Sequence, residues 1–203
     1  MSAVLERIVV KQLGRIEYDA ALRAMKLFSS QRKEITPDEL WLVEHPPVYT
    51  LGQGAEDVVV SNAIPVARSD RGGEITYHGP GQVVLYALID LARRGIKVKE
   101  FVGLLEQAVI DLVGPRAGRK AGAPGVYVGG AKLAALGIRV TRGRSYHGLA
   151  LNVDMDLAPF GAIDPCGFPG LQVTQTKDLG FSEDVLAMGD RLARSLMARI
   201  ENA

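Results

Sequence analysis

A single cysteine, Cys166, stands in the whole chain, so an internal disulfide and any paired-cysteine metal or redox site are excluded. Charge of either sign is not in excess: 24 basic and 23 acidic side chains leave a formal net charge of +1. That balance excludes bulk attraction to a nucleic-acid backbone, although a local basic patch stays open. No apolar run approaches the roughly 18–20 residues that cross a bilayer. The opening MSAVLERIVVKQLG carries Glu6 and Arg7 inside its apolar stretch and shows no cleavage pattern, so it does not read as a secretory signal. Internal repeats, low-complexity tracts and charge blocks are missing, and with them any obvious linker. A soluble, cytoplasmic protein is expected, without nucleic-acid or membrane partners. Its 203 residues are expected to form a single domain, 1–203, with enough apolar side chains for a real core.

What is present reads as strands mixed with a few well-separated helices. Strands are predicted over 4–10, 39–45, 64–68 and 82–90, the second stopped by Pro46-Pro47 and the last apolar on both faces and therefore central. Helices are predicted over 17–31, 98–113 and about 183–201. Phe101, Leu104, Leu105, Ala108, Val109 and Leu112 make one apolar face on the second, and Ser182 is the expected N-cap of the third. Residues 125–140 look like a hairpin around Gly129-Gly130, and 146–155 alternate strictly. Regular βαβ alternation is lacking, so the expected class is α+β, with a mixed or antiparallel sheet flanked by helices.

The stretch 71-RGGEITYHGPGQ-82 spends four of twelve residues on glycine. It is neither a Walker loop, since no Gly-Lys-Ser/Thr follows, nor the GxGxxG that opens a helix. Its glycines could lay bare backbone along an elongated ligand with Arg71 and His78 at the polar ends, or they could make a tight structural loop. Cys166 lies in 164-DPCGFPG-170, among turn residues. A lone cysteine is commonly a small buried hydrophobe, whereas a loop cysteine is exposed enough to act as a nucleophile. A thiol also needs a neighbouring cation or base, and His78, His147 and the lysines are candidates. Lys132 begins the apolar run 132-KLAALGIRV-140, where it either acts as a base or extends its ammonium to solvent. His45 reads as structural, and His147 fits a core or a site equally. Arg139, Arg142 and Arg144 cluster at a turn, and Arg142 and Arg144 are candidates for docking an acidic protein.

Taken together, 42-LVEHPPVYTLG-52, 70-DRGGEITYHGPGQ-82, 123-APGVYV-128, 132-KLAALGIRV-140, 146-YHGLALNV-153 and 164-DPCGF-168 resemble the lipoyl(octanoyl) transferase family. Asp164 departs from the pattern, where asparagine is frequent. The resemblance implies the fold of biotin protein ligases and lipoate ligases, with a deep acyl tunnel. It implies transfer of an octanoyl or lipoyl group from acyl carrier protein to a lysine of lipoyl domains, the first step of lipoate biosynthesis. The acceptors would be the lipoyl domains of 2-oxoacid dehydrogenases and the glycine cleavage H protein. No cofactor is implied, because a thioester is already activated. Cys166 matches the nucleophile that carries the acyl chain, and Lys132 the lysine that pairs with it. Arg71, Gly72, Gly73, Glu74, Ile75, Thr76, Tyr77 and His78 match one acyl-lining segment. Ala135, Leu136 and Gly137 match a second, and Gly148, Leu149 and Ala150 a third. On this view the small residues leave room for a fatty chain. An ATP-dependent lipoate or biotin ligase of the same fold, or a non-catalytic acyl-binding module, are the alternatives.

Overall fold

Alternating apolar residues become a strand only when each face finds a cover, and here both faces of the main sheet find one. The computed structural model describes residues 7–56, 60, 62–163 and 170–203. Strand β1 (Ile8–Arg15) leads through helix α1 (Tyr18–Gln31) into β2 (Asp38–Glu44), which pairs with β1 in parallel. Three short strands follow, β3 (Val48–Leu51), β4 (Val66–Arg68) and β5 (Ile75–His78), and then β6 (Gln82–Leu88). Helices α2 (Leu91–Arg94) and α3 (Val98–Val113) precede β7 (Ala117–Lys120), β8 (Ala123–Val128), β9 (Ala131–Thr141) and β10 (Arg144–Asn152). The last helix is α4 (Val185–Glu201). Seven strands form a mixed sheet in the order β1-β2-β6-β10-β9-β8-β7, and β4-β3-β5 form a smaller one. The class is α+β, as expected. No helix among the described residues is long and apolar enough to cross a membrane.

Period two divides each inner strand between two cores. Val83, Leu85 and Ala87 of β6 join the core beneath α3 and α4, whereas Val84, Tyr86 and Leu88 join the one beneath α1. Leu40 and Leu42 of β2 part from Trp41 and Val43 in the same way. A strand covered on both sides has no polar face, which is why β6 reads as unbroken apolar sequence. The small sheet has its own cluster, in which Tyr49, Leu51, Ile75 and Tyr77 pack with Phe160 from a 3-10 turn at Ala158–Ala162.

The elements depart from the sequence reading in a few places. The first strand runs later than 4–10, and residues 4–6 lie outside the described residues. Residues 75–78, read as part of a glycine-rich loop, are a fully buried strand. At α4 the cap is Asp184, whose carboxylate accepts the Ala187 N–H at 2.8 Å, and Ser182 lies too far upstream to reach it. The apolar face of α3 also contains a buried acid, Glu106.

One buried charge ties the layers together. Asp38 has no exposure, and its Oδ1 accepts from Arg32 Nη2 at 2.6 Å, from Arg93 Nη2 at 2.7 Å and from the Asp90 N–H at 2.8 Å. Its Oδ2 accepts from Arg94 Nε at 2.6 Å. Burial alone would raise the carboxyl pKa, but the hydrogen bonds from Arg32, Arg94 and the Asp90 amide outweigh it and hold the group below its ordinary range. Removing one partner of a buried ionic cluster typically costs about 3–5 kcal/mol. Asp38→Asn is therefore expected to lower the unfolding free energy by roughly that amount in urea denaturation near pH 7. Because the folded pKa is depressed, this contribution is present above about pH 4 and is lost as pH falls further. The gap between variant and wild type should close on acidification, and a gap that persists unchanged at low pH would contradict this account.

Candidate active site

A cavity lies between the small sheet and the α1 side of the main sheet. Arg71, Gly73, Glu74, Ile75, Thr76 and His78 form one wall, and Ala135, Leu136, Gly137, Gly148, Leu149 and Ala150 form the floor. The strand register explains the floor: Gly137 sits opposite Gly148 and Ala135 opposite Ala150 across β9 and β10. Tyr86 and Val84 stand next to Gly148 and Ala150 on β6 and continue the same surface. All three segments singled out in the sequence thus meet on one cavity, with two exceptions. Gly72 lines an adjoining groove, which shares Gly73, Glu74, Leu136 and Gly137 with the cavity. Tyr77 turns the other way, against Tyr49 and Phe160. Tyr18, Val84 and Tyr86 complete the lining, and sequence reasoning missed them because they come from distant elements. His147, left undecided, lines it too.

Two of the glycines also serve the protein's own packing. A Cβ on Gly148 would stand 2.1 Å from the Leu85 carbonyl oxygen, and one on Gly137 would stand 2.8 Å from that of Gly72. Each lets the chain's own backbone approach where a side chain would block it. The Gly72 N–H accordingly reaches the Ile138 carbonyl at 3.0 Å, seating the wall on β9. Arg71, read as a polar end for a ligand, spends its guanidinium on the protein: Nη2 donates to the Thr50 carbonyl at 2.6 Å and to Thr50 Oγ1 at 2.8 Å.

His45, His78 and His147, the three histidines of the chain, gather at this cavity among Tyr18, Tyr86 and Tyr146. Burial pushes His78 down to about 3, helped by the neighbouring His45. Burial likewise lowers His45, and lowers His147 despite the opposing pull of Asp70. Asp70 is held well below the ordinary carboxylate range, first by the hydrogen bond from His147 Nε2 at 2.9 Å, then by Tyr146 and Lys26. The two shifts agree, because a neutral imidazole still donates through its Nε2–H. The rings around the cavity are therefore uncharged near pH 7.

Lys132 is 3% exposed and has Nζ 5.5 Å from the centre of the Tyr127 ring. Its stem packs on Gly125, where a Cβ would stand 2.7 Å from Lys132 Cε. Gly125 is in turn held by its N–H, which donates to Glu106 Oε1 at 3.1 Å. The backbone of Lys132 pairs with the segment after the cysteine loop: its N–H donates to Gln172 at 2.8 Å and its carbonyl accepts from Thr174 at 3.0 Å. Cys166, the predicted nucleophile, lies outside the described residues. Of the two docking candidates, Arg142 is exposed at the β9–β10 turn, but Arg144 is engaged with Asp90 Oδ2 at 3.2 Å and the Arg32 carbonyl at 3.1 Å. Arg144 is therefore a structural residue. Among the described residues, no group of three or more His, Cys, Asp or Glu is placed to hold a metal.

Three buried neutral histidines make stability depend on pH. Each has a folded pKa below its unfolded value of about 6.5, so its contribution is complete above that pH and is lost as pH falls toward the folded pKa. For His78 the loss is roughly 1.4 kcal/mol at one unit below the unfolded pKa. Urea denaturation should show stability falling between about pH 6.5 and 5, before carboxylate titration begins. A flat profile there would mean that these rings are charged in the folded protein.

The sequence and the architecture match known proteins. A family model for the lipoyl protein ligase A/B catalytic domain covers residues 17–196. An octanoyltransferase of Thiobacillus denitrificans is 58% identical over 198 residues, covering 93% of this chain and 91% of its own. One from Azoarcus sp. is 57% identical over 202 residues, covering 97% and 89%. Among solved structures, a putative lipoate protein ligase from T. acidophilum superposes with a TM-score of 0.74 at 16% identity, covering 94% of this chain and 84% of its own. The Aquifex aeolicus biotin protein ligase in complex with biotin and ATP gives 0.58 at 7% identity, covering 97% and 71%. At such low identity the solved structures establish the fold alone. Relatives this similar over nearly the whole chain make the protein an acyltransferase, and it belongs to the lipoyl protein ligase A/B catalytic domain family.

Proposed function

We propose that this chain moves an octanoyl group from the thioester of an acyl carrier protein to a lysine amine of a lipoyl domain, through a thioester on Cys166. The observation that carries the reading is the placement of Lys132. It is buried three residues before Ala135 on β9, and so about 10 Å along the strand from the cavity floor. Its backbone grips residues 172–174, which begin six positions after Cys166. The apolar cavity supplies the aliphatic chain with a surface, and the curated relatives are octanoyltransferases.

The proposed reaction has two steps. Cys166 thiolate adds to the donor carbonyl, the carbon–sulfur bond to the carrier's thiol breaks, and that sulfur takes a proton from the Lys132 ammonium. Neutral Lys132 then takes a proton from the acceptor amine as it attacks the acyl-cysteine. The bond to Cys166 breaks, the thiolate returns, and an amide remains. A thioester and an amine become a thiol and an amide without an ATP-driven activation. His78 orients the wall in this scheme and is not the base, since Nδ1 faces Gln82 Oε1 at 2.7 Å and Nε2 faces Thr50 Oγ1 at 3.3 Å.

Intact-mass analysis after mixing the protein with octanoyl-carrier thioester, without ATP or acceptor, is expected to show one octanoyl equivalent that hydroxylamine removes. Cys166→Ser should abolish both the adduct and transfer. An adduct that survives this change, or transfer that requires ATP, would refute the proposal.

Lys132→Met should slow adduct formation and transfer by ~10²–10⁴-fold, the usual range for losing a general acid–base group. His78→Ala should lower turnover while still forming the adduct. Equal abolition of the adduct by both changes would reassign the proton-transfer role.

A further inference from the structure

Gln82 closes the glycine-rich stretch and Asn152 ends β10, and they are 1% and 4% exposed. A buried primary amide has two N–H donors and one acceptor oxygen, all of which need partners. Their orientations follow from fixed neighbours. Gln82 Nε2 faces the Tyr77 carbonyl at 3.2 Å and Asn152 Nδ2 the Thr174 carbonyl at 2.9 Å, and a carbonyl only accepts. Gln82 Nε2 therefore also donates to Asn152 Oδ1 at 3.0 Å, which leaves Gln82 Oε1 toward His78 Nδ1 at 2.7 Å. Because Oε1 accepts, Nδ1 carries the ring proton. Nε2 then accepts from the Thr50 hydroxyl at 3.3 Å, and Thr50 Oγ1 accepts from Arg71 Nη2 at 2.8 Å. At the far end the Thr174 N–H donates to the Lys132 carbonyl at 3.0 Å. Each bond points the same way, from Arg71 to Lys132.

We propose that Gln82 and Asn152 are positioning residues of the transferase site, fixing His78 as its Nδ1–H tautomer and, through residues 172–174, fixing the backbone of Lys132. This rests on the proposed role of Lys132 as proton carrier. The chain of bonds crosses between the two sheets that bound the cavity, so it sets the distance between the acyl wall and the proton carrier. A misplacement of about 1 Å at such a site can cost ~10²-fold in rate. The groups that face the His78 ring are Tyr18, stacked at 6.0 Å, then His45, Arg71 and His147. None of these favours a charged ring, and a carboxylate at position 82 would.

The test uses Gln82→Glu in the intact protein. Glutamate keeps the size and the acceptor for Nδ1–H, but it removes both donors and places a negative charge on the ring. Side-chain ¹⁵N NMR of the wild type is expected to show His78 neutral and protonated at Nδ1 from about pH 5.5 to 8. In Gln82→Glu the ring should take up a second proton in that range. Octanoyl transfer should fall by ~10–10²-fold, with a new inflection in the kcat profile that follows the ring and little change in KM for the donor. Asn152→Asp keeps the acceptor toward Gln82 but sets a carboxylate against the Thr174 carbonyl. It should lower kcat while leaving the His78 tautomer in place. A wild-type ring protonated at Nε2, or variants with wild-type rate and pH profile, would overturn the proposal. If Gln82→Glu does not fold, the wild-type tautomer and the Asn152→Asp rate decide the matter. Failure of the underlying transferase reading looks different, because the wild type itself would then form no octanoyl adduct at Cys166.

Discussion

The cavity exists because a loop of one sheet rests directly on the backbone of another. Its wall, residues 71–78, belongs to the small sheet through β5, and its floor belongs to the large sheet through β9 and β10. Side chains at the junction would hold the two apart by several ångströms. Gly137 has none, and the Gly72 N–H meets the Ile138 carbonyl at 3.0 Å. On the wall itself, Gly52 lies so close to the Gly73 carbonyl that a Cβ would stand 2.2 Å from its oxygen. Arg71 then locks the wall to β3 by donating to Thr50. Glycine here exchanges local order for proximity, and proximity is what turns two sheets into one enclosed site.

Much of the frame was legible because it depends on patterns longer than one turn or one strand pair. The sixteen residues of α3 present about four turns of apolar periodicity and end at Gly114, so both the element and its bounds could be read. β6 could be recognised as central because both its faces are apolar. The four-residue strands β3, β5 and β7 were not found, since two alternations carry too little signal and β5 is enclosed by glycines. The site was legible in segments but not as a surface. Tyr18 and Tyr86 are unremarkable in sequence, and only the pairing of β6 with β10 and the packing of α1 bring them to the cavity. His147 has φ of 60° inside a strand, a left-handed conformation that no pattern of residue types announces.

An aliphatic chain is poorly served by a charged container, and the polar groups around the cavity are arranged accordingly. The three histidines are buried and neutral, each satisfied through one tautomer. Two full charges beside them are engaged within the protein, Arg71 with Thr50 and the Gly72 carbonyl, and Asp70 with His147, Tyr146 and Lys26. The hydrogen-bonding capacity of these groups is thus met within the protein, and the surface left to a ligand is largely apolar. Shape and burial favour the acyl chain, while the bonds that would compete for water are already formed.

The same fold serves ligases, so the architecture alone does not choose the chemistry. On the proposed reading the chemistry turns on Cys166 and on how Lys132 is held. A lysine whose ammonium projects into solvent is mobile, with a flexible four-carbon stem. Here the stem lies on a glycine and the terminal nitrogen stands over an aromatic ring. Gly125 is held in that place by its pairing with Ala135 and by Glu106, the one acid on the apolar face of α3, which accepts its N–H. Arg119 binds the other oxygen of Glu106 at 2.8 Å and so compensates the buried charge. An acid in an apolar helix face is costly by itself. It is understandable where it fixes the backbone against which the proton-carrying side chain must lie. The order of support thus runs from α3, through Glu106 and Gly125, to a single amino group, and a rigid helix sets the position of the most flexible side chain in the proposed reaction.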